Sequence, residues 1–134
     1  MEQYKSLIDS AIEARKSSYS PYSGFKVGAA LICSNGKIYT GCNIENSAYS
    51  ETICAERVAI YNAISQGERD FVALAIVGGK EEICSFTYPC GACRQVISEL
   101  CPVDMKIVTF NGQEIGVTPF SELLPYGFNK DSIK

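Results

Sequence analysis

Three cysteines and one glutamate in this sequence have the residue types and spacing of a catalytic zinc site. Cys54 lies two residues before Glu56, and two residues separate Cys90 from Cys93. A structural zinc site uses four protein ligands, whereas a catalytic site uses three and leaves the fourth position to water. A nearby carboxylate can then move the protons of that water. The pattern therefore predicts chemistry on a zinc-activated water, with Glu56 as the proton carrier.

The absence of histidine limits which residues can perform this chemistry. The 134-residue chain has no histidine, so Cys, Asp or Glu must hold any zinc, and acid and base steps near neutral pH require a carboxylate such as Glu56. Three thiolates on a dication leave one net negative charge. Arg57 and Arg94 directly follow Glu56 and Cys93. We expect Arg57 to offset the charge, because it shares a helical turn with Cys54.

Hydrophobic periodicity places the metal motifs at the starts of two helices. Apolar residues recur at helical spacing after Cys54 and again after Cys90. In a first helical turn, Cys90 and Cys93 project from the same face. The partial positive charge of a helix N-terminus favours ionised sulfur. We also expect Thr52 to cap the first of these helices.

The rest of the chain alternates between helical and strand patterns. In chain order, the first half of the chain is predicted to form a helix from Tyr4 that stops before Ser17, a hairpin of Phe25–Cys33 and Lys37–Ile44, and a helix over Cys54–Gln66. The second half is predicted to form a central strand over Val72–Val77, a helix from Cys90 that stops before Pro102, a hairpin of Lys106–Phe110 and Ile115–Thr118, and a short helix within Pro119–Leu124. This order predicts an α/β fold, a three-layer α/β/α sandwich around a mixed five-stranded sheet. We expect one domain over residues 1–134, because no linker or repeat interrupts the pattern.

Charge and cysteine content restrict the possible partners and location. The net charge is −3 and the 12 basic residues are scattered, which offers no stripe for a nucleic-acid backbone. Charged residues interrupt the apolar runs near the N-terminus, so we expect no signal peptide, no membrane span and a cytoplasmic location. Four of the seven cysteines lie outside the zinc motifs and are expected to be small buried residues, with a fourth zinc ligand as the alternative: Cys33, Cys42, Cys84 and Cys101.

Further motifs extend along nearly the whole chain. They are Pro21–Ala30, Gly41–Asn46 and Leu123–Phe128, in addition to the zinc motifs Cys54–Arg57 and Pro89–Gln95. Together they resemble the small homotetrameric cytidine deaminases. In that resemblance, the first segment is the substrate loop and first strand, the second is the ribose-binding motif, and the third is the C-terminal signature.

The resemblance implies hydrolysis of cytidine and deoxycytidine to uridine and deoxyuridine plus ammonia, as in pyrimidine salvage. One Zn²⁺ per chain would be held by Cys54, Cys90 and Cys93, and Glu56 would pass a water proton to N3 of the base and another to the leaving amine after attack at C4. The resemblance also assigns the substrate contacts: Asn43 and Glu45 to the ribose, the Ala55 amide to the base carbonyl, Phe25 to the pyrimidine ring, and Tyr49 and Phe128 from neighbouring subunits of a homotetramer.

One position departs from the family pattern, and three alternative functions stay open. Tyr88 stands where relatives commonly have a small residue. The alternatives are a blasticidin-type aminonucleoside deaminase, a nucleic-acid-editing deaminase and a non-catalytic zinc or redox module. The Asn43–Asn46 motif favours ordinary nucleosides over the first, and the acidic charge disfavours the second. The third requires a reactive dithiol or a fourth ligand, for which Cys84 and Cys101 are candidates.

Overall fold

A mixed five-stranded sheet forms the centre of the computed structural model, which describes residues 2–134. Met1, which the expected domain includes, lies outside the described residues. The strands are β1 Lys26–Cys33, β2 Ile38–Cys42, β3 Phe71–Gly79, β4 Lys106–Phe110 and β5 Ile115–Pro119, in the spatial order β2-β1-β3-β4-β5. β3 and β4 pair in parallel, and the other three neighbouring pairs are antiparallel. The predicted mixed sheet is confirmed.

The central strand β3 is covered on both faces, as its continuous apolar sequence predicts. Leu74 and Ile76 belong to one core cluster, whereas Ala73, Ala75 and Val77 belong to the other. This separation follows from the two-residue period of a strand, which sends alternate side chains to opposite faces. The sheet therefore has a hydrophobic core on each side.

Three helices cover the two faces of the sheet and complete the predicted three layers. They are α1 Lys5–Arg15, α2 Ala55–Ser65 and α3 Gly91–Leu100. Helix α1 contributes Leu7, Ile8 and Ala11 to one core cluster, whereas α2 and α3 contribute to the other. Short 3₁₀ turns cover Glu2–Tyr4, Tyr49–Glu51, Phe120–Glu122 and Lys130–Ile133. The predicted last short helix is thus one 3₁₀ turn after β5.

Helix α2 lies unusually close to the sheet because β2 carries a glycine beneath it. A Cβ atom on Gly41 would lie 2.5 Å from the Ala59 nitrogen and 2.6 Å from the Ala55 oxygen. Real Cβ atoms do not approach backbone atoms this closely, so only glycine permits the contact. The start of α2, where the first zinc motif lies, is consequently fixed by backbone-to-backbone packing.

Two local expectations are wrong. Thr52 does not cap α2, because Cys54 occupies the N-cap position and the Thr52 hydroxyl instead accepts a hydrogen bond from the Asn46 amide at 3.2 Å. Cys84 is exposed and Cys42 is half-buried, whereas Cys33 and Cys101 are buried as expected. Cys84 lies in the loop between β3 and α3.

Across residues 2–134, none of the helices combines the length and the apolar character that a bilayer crossing requires.

Candidate active site

The three predicted metal ligands converge at the starts of α2 and α3. Cys54 and Cys90 are the N-cap residues of these helices, and Cys93 lies in the first turn of α3. The three Sγ atoms lie within 4.8 Å of one another, and those of Cys54 and Cys90 are 3.6 Å apart. Tetrahedral Zn–S bonds of about 2.3 Å place sulfur atoms about 3.8 Å apart. The cluster therefore fits one zinc ion per chain.

The cluster contains three protein ligands and no fourth within residues 2–134. Neither Cys84 nor Cys101 belongs to it, although both were candidates for a closed structural site. Three thiolates with an open fourth position have the ligand number of a catalytic zinc site.

Hydrogen bonds prepare the sulfur atoms for a cation. The hydrogen bond from Cys93 is the largest cause that lowers the pKa of Cys54 to about 5, and the hydrogen bond from Arg57 adds to it. The same contact with Cys54, together with burial, raises the pKa of Cys93. Ionised thiolates are the form that binds zinc, so metal binding at this cluster releases the protons that the thiols hold.

Glu56 lies beside this cluster and is almost completely buried. Its side chain lines the same cavity as Cys54 and Cys90, and the residue is 3% exposed. Burial raises the pKa of Glu56 to about 7, and the neighbouring charge of Cys54 acts in the same direction. A carboxyl group of this kind can both accept and donate a proton near neutral pH.

The two arginines that follow the zinc motifs make different contacts. Arg57 Nη2 donates a hydrogen bond to Cys54 Sγ at 3.5 Å, and this bond raises the pKa of Arg57 further. Arg94 instead donates to the carbonyl oxygens of Pro89 and Leu123, at 2.7 Å each. Arg57 therefore places its positive charge against a thiolate, whereas Arg94 braces the backbone around the second zinc motif.

A cavity of about 360 Å³ opens above Glu56 and the cysteines. Four of the predicted substrate-binding residues line it: Phe25, Asn43, Glu45 and Ala55. Glu56, two of the metal ligands and Tyr88, where the sequence departs from the family pattern, also line it. The remaining lining residues were not predicted as site residues, namely Ser23, Val27, Thr52, Ile53 and Thr87. Ser23 and Val27 lie inside the Pro21–Ala30 motif, so the motif offered a signal for them, whereas Thr87 precedes the second zinc motif without a recognisable pattern.

The two predicted ribose-binding residues also hold the Pro21–Ala30 segment in place. Asn43 Nδ2 donates to the Phe25 oxygen at 2.8 Å, and Asn43 Oδ1 accepts from the Val27 amide at 3.0 Å. Glu45 Oε1 accepts from the amides of Tyr22 at 2.9 Å and Ser23 at 3.1 Å. These hydrogen bonds lower the pKa of Glu45, with the bond from the Ser23 hydroxyl as the largest cause. Glu45 is therefore ionised at neutral pH.

Tyr49 and Phe128 do not line this cavity. Tyr49 is 75% exposed and Phe128 is 63% exposed. Tyr49 contacts the edge of the Tyr22 ring at a centroid distance of 6.0 Å, and the Phe128 carbonyl accepts a hydrogen bond from Gln95 at 2.8 Å. Tyr49 lines an adjoining cavity that shares Glu45 with this one, so within one chain the structure places Tyr49 beside the predicted site and Phe128 apart from it.

Comparison with known families agrees with this arrangement. Residues 1–109 match the family described as the cytidine and deoxycytidylate deaminase zinc-binding region. The chain belongs to this family. It is 50% identical over 128 residues to a cytidine deaminase of Sporosarcina psychrophila, which covers 95% of this chain and 92% of the relative.

A solved structure and a more distant relative extend the comparison. The crystal structure of a cytidine deaminase from Burkholderia pseudomallei superposes with a TM-score of 0.87 and 44% identity, covering 93% of this chain and 98% of that one. A blasticidin-S deaminase of Bacillus cereus is 32% identical over 110 residues, which is 78% of each chain. The two cytidine deaminases above are therefore more similar to this chain in sequence identity and in the share of the chain that matches.

Proposed function

We propose that this chain is a zinc-dependent deaminase that converts cytidine and deoxycytidine to uridine and deoxyuridine with release of ammonia. One observation carries the proposal: the buried Glu56 carboxyl and the three convergent thiols of Cys54, Cys90 and Cys93 line or adjoin one open cavity. The extensive similarity to cytidine deaminases supports the same substrate class.

Glu56 carries the protons of the reaction. When bound, zinc supplies hydroxide near neutral pH because it lowers the pKa of a water from about 16 to about 7. Glu56 accepts a proton from the attacking water and delivers it to N3 of the cytosine ring as the water oxygen bonds to C4. It then accepts the second proton of that oxygen and delivers it to the exocyclic amine, so that the C4–N bond breaks, a carbonyl forms at C4 and ammonia leaves. A carboxyl group with a pKa of about 7 suits both directions of transfer.

The remaining cavity residues hold the nucleoside. The ring of Phe25 packs against the pyrimidine, and the Ala55 amide at the start of α2 donates to the base carbonyl oxygen. Asn43 has one amide hydrogen beyond its bond to the Phe25 oxygen, and we assign it to a ribose hydroxyl. Glu45 accepts from a second ribose hydroxyl. Arg57 reduces the negative charge that three thiolates give to the metal.

The structure offers little support to the alternative functions. A single-stranded nucleic acid requires a cationic groove, but among the described residues the cavity lining includes Glu45 and Glu56 and no Lys or Arg. A closed zinc knuckle requires a fourth ligand, and the cluster in residues 2–134 has three. A blasticidin-type activity has the weaker sequence similarity.

We further propose that the enzyme is a homotetramer in which neighbouring subunits complete each active site. Tyr126 and Phe128 form an exposed aromatic end of the chain, and Tyr49 is a third exposed aromatic residue that does not line the cavity. Exposed aromatic residues are typical of surfaces that another protein covers. In this assembly, Tyr49 and Phe128 of adjacent chains close the cavity over the base.

The enzyme is proposed to act in pyrimidine salvage in the cytoplasm, as a single domain over residues 1–134. All seven cysteines are free, which suits a reducing compartment. One sheet runs through the described residues with a core cluster on each face, which supports a single folding unit.

A direct assay of a nucleoside panel tests the proposed activity. Purified zinc-loaded protein is incubated with cytidine, deoxycytidine, blasticidin S and a cytosine-containing single-stranded DNA, and ammonia release and the uracil product are measured. We expect turnover of both nucleosides and little of the other two. Preferred turnover of blasticidin S, or none of any nucleoside, would overturn the proposal.

A further inference from the structure

The hydroxyl of Ser23 lies between two residues assigned to different parts of the substrate. It donates a hydrogen bond to Glu45 Oε2 and accepts one from the Phe25 amide at 2.9 Å. Glu45 is assigned to the ribose and Phe25 to the base. One exposed hydroxyl group therefore connects the two contacts.

The other backbone group of Phe25 is also tied to the Asn43–Glu45 segment. The Phe25 carbonyl accepts from Asn43 Nδ2 at 2.8 Å, so both its amide and its carbonyl depend on this segment. The intervening Gly24 has a φ of +71°, and its amide donates to the Ser20 oxygen at 2.9 Å. The backbone of Phe25 is thus held on both sides by hydrogen bonds to side chains, and its ring lies beside Gly78.

We infer that Ser23 is a positioning residue for substrate binding, which fixes the ring of Phe25 relative to the carboxylate of Glu45. The inference rests on the proposed function, since it concerns the same cavity. Ser23 touches neither the metal ligands nor Glu56 through a side-chain hydrogen bond in the described structure. Its loss should therefore weaken nucleoside binding and spare the chemical step.

Kinetics of Ser23→Ala and Ser23→Thr test this role. Loss of a hydrogen bond to a charged group corresponds to a factor of about 10 or more, so Ser23→Ala should raise KM for cytidine about tenfold. The value of kcat should stay within about twofold, and the zinc content should be unchanged. Ser23→Thr keeps the hydroxyl and should retain a KM near that of the wild type. Ser10→Ala is the matched control, because that hydroxyl bonds within α1 to the Ser6 oxygen.

A double-mutant cycle with Phe25→Leu tests the link to the ring. If Ser23 acts through Phe25, Ser23→Ala should raise KM by less than about threefold when the aromatic ring is already absent. An equal tenfold effect in both backgrounds would overturn the link, as would a Ser23→Thr variant as impaired as Ser23→Ala. If the wild type turns over nucleosides and Ser23→Ala has an unchanged KM, this inference alone is overturned. If the wild type turns over no nucleoside, the proposed function is overturned and this inference with it.

Discussion

Replacement of Glu56 by glutamine should nearly abolish turnover while leaving the zinc site intact. The amide keeps the shape of the carboxyl group but cannot carry protons. The other carboxylate that lines the cavity, Glu45, is engaged with the amides and hydroxyl of the substrate loop, and the chain has no histidine. Positioned acid and base groups contribute about 10²- to 10⁴-fold each. We expect kcat to fall by at least about 10³-fold, because Glu56 serves two proton transfers.

The same substitution should stabilise the fold at alkaline pH. Burial raises the pKa of Glu56 from 4.5 to about 7, so the folded protein keeps a proton that the unfolded chain loses between these values. The free energy of unfolding therefore falls as the pH rises between these two pKa values, and the total loss above pH 7 is about 3 kcal/mol. Glutamine removes this cost. The melting temperature of Glu56→Gln should exceed that of the wild type by several degrees at pH 8 and by less at pH 6.

The chemical step is measured on zinc-saturated protein and the stability on zinc-free protein, because a bound dication would lower the pKa of Glu56. Single-turnover kinetics with cytidine gives the chemical step, metal analysis gives the zinc content, and thermal unfolding at the two pH values gives stability. Glu99→Gln removes an exposed carboxylate on α3 and should change none of these. Near-normal turnover in Glu56→Gln would refute the proton-carrier role, and an equal melting temperature at pH 8 would refute the argument from burial.

Three further predictions concern the metal, its counter-charge and the subunit contact. Cys90→Ala should reduce zinc well below one ion per chain by metal analysis, and a full complement would mean that another residue replaces this ligand. Arg57→Ala should lower kcat about 10- to 100-fold with little change in melting temperature, and a larger kcat loss in Arg94→Ala would show that Arg94 is the counter-cation. Truncation before Tyr126 should raise KM while zinc is retained. Mixing truncated chains with Glu56→Gln chains should restore turnover in some tetramers, and no recovery despite demonstrated subunit exchange would favour a pocket built within one chain.

The sequence predicts the layers and the metal cluster well because local physical rules determine them. The apolar run over Val72–Val77 requires a strand covered on both faces, and β3 is such a strand. Gly36, with φ of +88°, supplies the turn between β1 and β2. Helical spacing after Cys54 and Cys90 places both residues at helix starts, so the convergence of the thiols follows from the fold.

Long-range hydrogen bonds to the backbone could not be predicted in the same way. Arg94 was considered as a counter-cation because it follows Cys93, but its donors reach carbonyl oxygens at Pro89 and Leu123. Every residue carries a carbonyl oxygen, so the sequence pattern does not mark which one is bound. The exposure of Cys84 was missed for a related reason, since its loop has no periodicity that distinguishes a covered side from an open one.

The glycine beneath α2 has a consequence for altering this protein. Because Gly41 permits backbone contact with the helix, any larger residue there would push the start of α2 off the sheet and displace Cys54 relative to Cys90. Substitution of Gly41 would then lower the zinc content of the protein, although Gly41 lies on β2 and outside both zinc motifs. Efforts to broaden the range of accepted bases should leave β2 untouched. They should instead vary Thr87 and Tyr88, which line the cavity from a loop that can change without moving the scaffold.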